Sequence, residues 1–167
     1  SVPTAPTSSV TSTTPTSNPN CGPGPSHVGT MTAVINGVSW RAVCLFGRFT
    51  SEGGFQFVAH DKTPAAQMAN PNADTSVSLL IGGTRPGTYG AGSTMVVCYV
   101  TVGGGISSEI NWVWTWPNGV GTGSLTFATL SATGTSGTFA FTTGSSNPNG
   151  FGTPARVVTN GSFNVSF

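Results

Sequence analysis

The chain has 167 residues, of which only 5% are charged, against roughly 25% in an ordinary soluble domain. Its formal net charge is +1, and its few Lys and Arg residues are scattered along the sequence, which excludes a phosphate-binding surface and therefore a nucleic-acid partner. The length suits one domain with a full core. No run of about 18 apolar residues occurs, so no membrane-spanning helix is expected.

Residues 1–28 are rich in Ser, Thr and Pro and contain too few apolar residues to build a core. We therefore expect an extended N-terminal arm, followed by a β domain over residues 29–167. Within the arm, residues 8–14 read SSVTSTT, which lacks proline and has the length of an ordinary strand. Such a segment could add to an open sheet edge, and the residues expected to make the contact are Val2, Ala5, Val10, Thr11 and Thr13.

Residues 31–60 read as two consecutive β-hairpins. Asn36-Gly37 and Gly53-Gly54 are residue pairs that supply the positive φ angles of two-residue hairpin turns. The runs that flank them are rich in β-branched and aromatic residues, which favour strands. The sequence therefore predicts hairpins centred on these two pairs.

The remainder of the chain alternates apolar and polar residues with a period of two, as at Phe163, Val165 and Phe167. Residues 64–70 are the one segment that reads as a helical turn. Further turns are predicted at Pro117-Asn118-Gly119, Ser136-Gly137, Asn149-Gly150 and Asn160-Gly161. The pattern predicts an all-β fold, an antiparallel two-sheet β-sandwich of roughly eight to ten strands, with a closed barrel as the alternative.

The three cysteines, Cys21, Cys44 and Cys98, lack the close spacing of a metal site. Counting alternate residues along two predicted strands places Cys44 and Cys98 on apolar faces. We therefore expect a core disulfide between Cys44 and Cys98, which leaves Cys21 as a free thiol or a link to another chain. Unpaired buried thiols are the alternative.

The chain offers few groups for catalysis. It has four acidic residues and two histidines, and it contains no G-x-S-x-G, H-E-x-x-H or phosphate-loop motif. His60 and Asp61 are adjacent, but neighbours in a strand point to opposite faces, so a strand end is expected there rather than a catalytic pair. A calcium site on Asp61 and Asp74 is a minor alternative. We predict no enzyme activity, no cofactor and no metal.

Trp112, Trp114 and Trp116 alternate along one predicted strand. If they are exposed, they form an aromatic platform of the kind that stacks on sugar rings; if they face inward, they fill the core. A third interpretation is a row of indoles covered by a neighbouring subunit.

Two sequons for N-glycosylation occur near the end of the chain. They begin at Asn160 and Asn164, and the second residue of each is not proline. These asparagines are candidate glycosylation sites in an organism that glycosylates its surface proteins.

The body of the chain resembles a family of exported bacterial β-rich domains of unknown function that are often found on lipoproteins. The resemblance begins with T-A-V-I-N-G-V-S-W at residues 32–40 and ends with V-T-N-G-S-F-N-V at residues 158–165. It covers residues 29–167. The resemblance implies an all-β fold and a location in the cell envelope or outside the cell, and it brings no catalytic residues.

These observations lead to one expected function. The low charge, the scarcity of catalytic groups and the arm favour a structural subunit of an extracellular filament or cell-surface assembly, which self-associates through sheet edges and the arm. Its partners would be other copies of the same chain. The alternative is a monomeric cell-surface carbohydrate-binding module that holds polysaccharide on the Trp row.

Overall fold

A computed structural model of the chain describes residues 18–22, 28–51, 53–70, 73–90, 96–102, 111–116, 121–145 and 155–167. These residues form two antiparallel six-stranded sheets. Sheet A contains β1 (Val28–Ile35), β2 (Val38–Arg41), β6 (Gly87–Tyr89), β9 (Thr122–Ser131), β10 (Gly134–Thr142) and β12 (Val157–Ser166). Sheet B contains β3 (Cys44–Phe49), β4 (Phe55–His60), β5 (Thr75–Ile81), β7 (Val96–Val102), β8 (Asn111–Trp116) and β11 (Gly144–Ser145).

The strand order is β2-β1-β12-β10-β9-β6 in sheet A and β11-β8-β7-β5-β4-β3 in sheet B. The predicted all-β sandwich is therefore confirmed. The described residues hold twelve strands, more than expected, because β6 and β11 are only three and two residues long. The predicted helical turn is also present, as the short helix α1 (Pro64–Ala69), and a 3-10 turn lies at Pro19–Cys21.

The first predicted hairpin is confirmed. Asn36 and Gly37 have φ angles of 49° and 80°, and they join β1 to β2 as a two-residue turn. The second hairpin, between β3 and β4, forms with a longer connection. The Thr50 N–H donates to the Gly54 carbonyl at 2.8 Å, so the expected two-residue turn at Gly53-Gly54 is wrong. Gly53 alone of that pair has a positive φ, at 77°.

The chain crosses from sheet A to sheet B between β2 and β3. Ala42 and Val43 make the crossing, so the segment that reads as one strand in the sequence is two strands in different sheets. Trp40, at the end of sheet A, is buried and donates its Nε1–H to the Thr75 carbonyl of sheet B at 3.1 Å. Alternation counted through this crossing therefore assigns the wrong face to residues beyond it.

Two glycine signals that predict turns lie inside strands. Gly137 is opposite Phe163 in the β10–β12 pair, and Gly161 is opposite Phe139 in the same pair. A side chain on either glycine would meet the opposing phenylalanine ring. The turns predicted at Ser136-Gly137 and Asn160-Gly161 are therefore wrong, because these glycines make room for core rings at irregular positions of the two strands.

The core between the sheets is rich in phenylalanine. Distances here are between ring centroids. Phe163 of sheet A lies 5.2 Å from Phe127 of the same sheet and 5.9 Å from Phe57 of sheet B. Phe55 meets Phe127 edge-on at 5.8 Å. These contacts join the two sheets through their inward faces, as the alternation in the sequence predicts.

The outer face of sheet A carries rows of hydroxyl groups. One row contains one residue from each of five strands, and each of these residues lies directly opposite the next. A second row is built in the same way from four strands. Several neighbours in these rows are hydrogen-bonded, with oxygen–oxygen distances of 2.8 to 3.1 Å. The first row is Thr32, Ser162, Thr138, Thr126 and Thr88, and the second is Thr30, Asn164, Ser136 and Thr129, in which Asn164 contributes an amide instead of a hydroxyl.

Candidate assembly edge

The two sides of the sandwich end in strands of different length. On one side lie β2, the edge strand of sheet A, and β3, the edge strand of sheet B, with four and six residues. Only two residues connect these strands, so both edges lie on the same side of the sandwich. On the other side lie β6 and β11, with three and two residues. Among the described residues, β3 has a strand neighbour only in β4. We call these the long-edge side and the short-edge side.

Exposed apolar side chains concentrate on the long-edge side. Val38 of β2 is 70% exposed, Val43 in the crossing is 42% exposed, and Phe49 at the end of β3 is 43% exposed. Phe167 adjoins Phe49, because the rings of both residues pack on Phe55, at 5.6 and 5.2 Å. The long-edge side therefore combines edge strands with apolar surface, which is typical of an interaction site.

The other exposed large apolar residues of the described structure lie on neither edge strand. Met68 is 79% exposed on α1, and Val157 begins β12. Met68 thus provides a matched position that is apolar and exposed but lies on neither edge strand, on a helix that contacts the turn of Cys21.

A disulfide ties the end of the N-terminal arm to the long-edge side. Cys21 and Cys44 are bonded, with their Cα atoms 5.5 Å apart, and both side chains are buried. Cys44 is the first residue of β3, so the bond brings the chain that precedes Cys21 to the beginning of this edge strand. Asn18 accepts a hydrogen bond from the Asn20 N–H and begins the short turn that carries Cys21.

The predicted Cys44–Cys98 disulfide is wrong, and so is the prediction that Cys21 is free or bonded to another chain. β4 and β5 lie between β3 and β7, which separates the two strands by roughly 14 Å at the usual strand spacing. Cys98 packs in the core, whereas Cys44 is opposite His60 on the other face of sheet B. The error has a physical cause, since the chain changes sheets just before Cys44.

Cys98 has no disulfide partner and is fully buried. Burial raises the pKa of its thiol well above the ordinary value, because the thiolate would lose its hydration. Its direct neighbour across the β5–β7 pair is Leu79. In this environment the cysteine is a small apolar core residue and a poor nucleophile.

A polar pair lies behind the disulfide. His60 Nδ1 and Asp74 Oδ2 are 2.8 Å apart, and Asp74 is only 2% exposed. The imidazole also meets the Phe46 ring edge-on, at 6.1 Å between centroids. The second carboxylate oxygen of Asp74 is buried and finds no hydrogen-bond partner in the part of the chain that the structure describes. This pair stiffens the support of β3, because His60 is the direct cross-strand neighbour of Cys44.

Asp61, the sequence neighbour of His60, has a different role. Its Oδ1 accepts the Thr75 N–H at 2.8 Å, and its Oδ2 lies 3.3 Å from Lys62 Nζ. The described residues contain no group of three or more His, Cys, Asp or Glu side chains that could hold a metal ion. Asp61 thus joins the end of β4 to the start of β5, as expected of a strand end.

Sequence reasoning missed the His60–Asp74 pair. The two residues are 14 positions apart and meet because β4 and β5 pair with His60 opposite Ser76. A usable signal would have been the position of Asp74 immediately before an apolar alternating run, since that placement puts it beside the end of the preceding strand.

The other predicted site residues lie partly outside the described structure. Val2, Ala5, Val10, Thr11 and Thr13 are outside it, as are the turns predicted at Pro117-Asn118-Gly119 and Asn149-Gly150. The backbone of β8 places Trp112, Trp114 and Trp116 opposite Val100, Cys98 and Val96, but the indole side chains lie outside the described part, so their role stays a prediction. Asn160 and Asn164 are exposed on β12.

Comparison of the chain with family models, with characterised proteins and with solved structures finds no match. The resemblance to the exported bacterial domain family therefore stays a prediction. Within the described residues, no helix has the length and apolar character needed to cross a bilayer.

Proposed function

We propose that the protein is a structural subunit of an extracellular or cell-surface assembly, whose copies associate through the long-edge side and the N-terminal arm. The observation that carries the proposal is the coincidence of three features on that side: the two longer edge strands, four exposed apolar side chains, and the disulfide that brings the arm there.

The chemistry of β3 supports strand addition. Edge strands that must stay single are usually short, or carry Lys or Pro that opposes pairing. β3 has six residues and no proline, and its one charged side chain, Arg48, is engaged by a neighbour. The guanidinium donates through Nε and Nη2 to Gln56 Oε1, at 3.2 and 3.1 Å. Gln56 is neutral, so Arg48 keeps its charge, but the two hydrogen bonds hold the guanidinium toward β4 rather than toward the open edge.

The disulfide and the composition support a location outside the cell. Disulfides persist in oxidising compartments and are rare in the cytosol. The chain has nine charged side chains in 167 residues, five basic and four acidic, so copies that lie close together repel one another little. Both features suit a protein that is exported and then packed beside its own copies.

Sedimentation velocity over a range of concentrations tests the proposal. The wild-type chain should associate, and Phe49→Lys should weaken association by at least roughly tenfold, since it removes an apolar contact and adds a charge at the edge. The matched substitution Met68→Lys adds the same charge away from both edges and should leave association unchanged.

Electron microscopy of the associated material should then show a regular assembly. A wild-type chain that stays monomeric at every concentration would contradict the proposal. Equal loss of association in Phe49→Lys and Met68→Lys would show that added charge, rather than the long-edge side, is responsible.

A further inference from the structure

A groove lies on the outer face of sheet B, over β3 and β4. Its volume is about 430 Å³, which is within the range of small-molecule sites. The residues that line it are Phe46, Gly47, Arg48, Gln56, Val58 and His60. Most of the lining consists of side chains on the face of the sheet, so a ligand in the groove does not need the backbone edge of β3.

The register of the two strands sets the order of the side chains along the groove. Arg48 and Gln56 are cross-strand neighbours at one end. Phe46 and Val58 are neighbours in the middle, and His60 lies at the other end. Gln56 and His60 are four positions apart in β4, so about 14 Å separates the two ends. The groove is therefore elongated, with polar groups at both ends and an apolar centre.

The Arg48 end offers hydrogen-bond donors and a positive charge. Nε and Nη2 of Arg48 donate to Gln56 Oε1, which leaves other N–H groups of the guanidinium and the amide NH₂ of Gln56 for a ligand. Arg48 is exposed, and it makes no ion pair with the residues that the structure describes. Several donors beside one positive charge match a carboxylate.

The His60 end offers an acceptor that a buried carboxylate holds in place. Asp74 is 2% exposed, and its Oδ2 lies 2.8 Å from His60 Nδ1. An ionised carboxylate only accepts hydrogen bonds, so Nδ1 donates to it, and Nε2 of the neutral imidazole is then an acceptor. The His60 side chain is 25% exposed. Its Nε2 can therefore accept a hydrogen bond from a hydroxyl group of a ligand.

The centre of the groove is an apolar floor made by Phe46 and Val58. Both residues are half-buried, and the Phe46 ring stands at 75° to the imidazole of His60. An aromatic floor between polar ends suits a sugar ring, which has an apolar face and hydroxyl groups around its edge.

Other classes of ligand fit the groove less well. A wholly apolar ligand would cover the donors of Arg48 and Gln56 and leave them without partners, which costs free energy. A polyphosphate or nucleic acid would need several cations, whereas Arg48 is the one cationic side chain among the lining residues. A sugar chain with isolated carboxylates meets both conditions.

We infer that this groove binds an acidic polysaccharide. A uronate carboxylate is held by Arg48 and Gln56, a sugar ring lies on Phe46, and a sugar hydroxyl donates to His60 Nε2. The site is separate from the Trp row that the sequence suggested as a sugar platform. Binding here does not require self-association, so it goes beyond the proposed function and gives the protein a ligand of its own.

An NMR titration of the full chain, at a concentration where sedimentation shows monomers, tests the inference. The probe is a trimer of galacturonic acid, and its control is the same trimer with every carboxylate converted to the methyl ester. The acid trimer should shift the backbone amides of Phe46, Arg48, Gln56 and Val58 in a saturable way. The ester should bind at least roughly fivefold more weakly, and added salt should weaken binding of the acid alone.

Matched variants locate the carboxylate. Arg48→Met keeps the apolar stem and removes the charge, so it should weaken binding of the acid trimer at least roughly fivefold and abolish the preference for the acid over the ester. Arg85→Met removes an exposed charge from the connection between β5 and β6, outside the groove, and should leave binding unchanged. Phe46→Ala should weaken binding of both trimers, and the amide spectrum of each variant shows whether it is folded.

Three results would overturn the inference. Equal binding of acid and ester would remove the carboxylate from Arg48. Equal weakening by Arg48→Met and Arg85→Met would show a response to net charge rather than to the groove. An acid trimer that shifts no groove amide would mean that the groove is not the site. Sedimentation of the same samples reports self-association separately, so failure of the groove and failure of the proposed function are distinguishable.

Discussion

The two sides of the sandwich end their sheets differently. The short-edge side stops in strands of three and two residues, which offer too few backbone groups to hold another strand. The long-edge side keeps a six-residue strand, apolar side chains and a covalently tied arm in one place. Among the described residues, one side therefore offers few backbone groups for pairing and the other offers more, which is why we assign the proposed function to edge length and arm attachment rather than to the core.

The largest effect is expected from removal of the disulfide. Cys21→Ser with Cys44→Ser should lower the free energy of unfolding by about 3 kcal/mol, because the bond closes a segment with a sequence separation of 23. Chemical denaturation measures the change. Reduction of the wild-type protein should lower the free energy of unfolding by the same amount. A negligible decrease would show that the disulfide does not stabilise the long-edge side.

A smaller loss is expected behind the disulfide. Asp74→Ala removes the buried acceptor that holds His60 and should cost about 1–2 kcal/mol, partly offset because the unpartnered oxygen is removed as well. Lys62→Ala, which deletes one partner of a more exposed ion pair, should change stability by less than about 0.5 kcal/mol. Equal effects of the two substitutions would show that the pair does not support β3.

Cys98 gives a pH test that involves neither side. Because burial raises the pKa of its thiol, the unfolded chain loses this proton first, and stability should fall as the pH rises above the ordinary cysteine pKa of about 8.5. The expected slope is at most about 1.4 kcal/mol per pH unit. Below that pH the thiol is protonated in both the folded and the unfolded chain, so its contribution to stability is fully present. Cys98→Ala should remove this part of the slope, and native Cys98 should resist alkylation until the protein unfolds.

The smallest effect is expected on the short-edge side. Thr88→Lys places a charge on the exposed face of β6, and it should change self-association by less than about twofold, since a three-residue edge contributes little to pairing. Sedimentation velocity of Thr88→Lys and Phe49→Lys under the same conditions compares the loss of association caused by a charge on each side. A large loss of association in Thr88→Lys would assign the interface to the other side.

Much of the fold is predictable from local signals. Asn36-Gly37 predicts its turn because two adjacent positive φ angles need such residues, and the alternation at Phe163 and Val165 predicts a half-buried strand. Gly137 and Gly161 mislead for a physical reason, because a glycine beside Ser or Asn is also what a strand needs where an opposing ring must fit. Local sequence does not tell these two uses apart.

The candidate site was less predictable, since it depends on contacts between distant residues. The crossing at Ala42 and Val43 reverses the alternation on which the cysteine pairing was based. The His60–Asp74 contact and the Cys21–Cys44 bond each join segments far apart in the chain. The arm was predicted as a contacting segment from its composition, but the place where it is attached was found only in the structure.

The hydroxyl rows of sheet A have a consequence for the conditions in which the protein can work. Thr32 with Ser162, and Thr88 with Thr126, are hydrogen-bonded to each other and need no counterions. Dissolved salt screens attraction and repulsion between charges but has little to act on here. In dilute salt, where ions act mainly by screening charges, solubility and packing between neighbouring molecules should therefore change little with ionic strength.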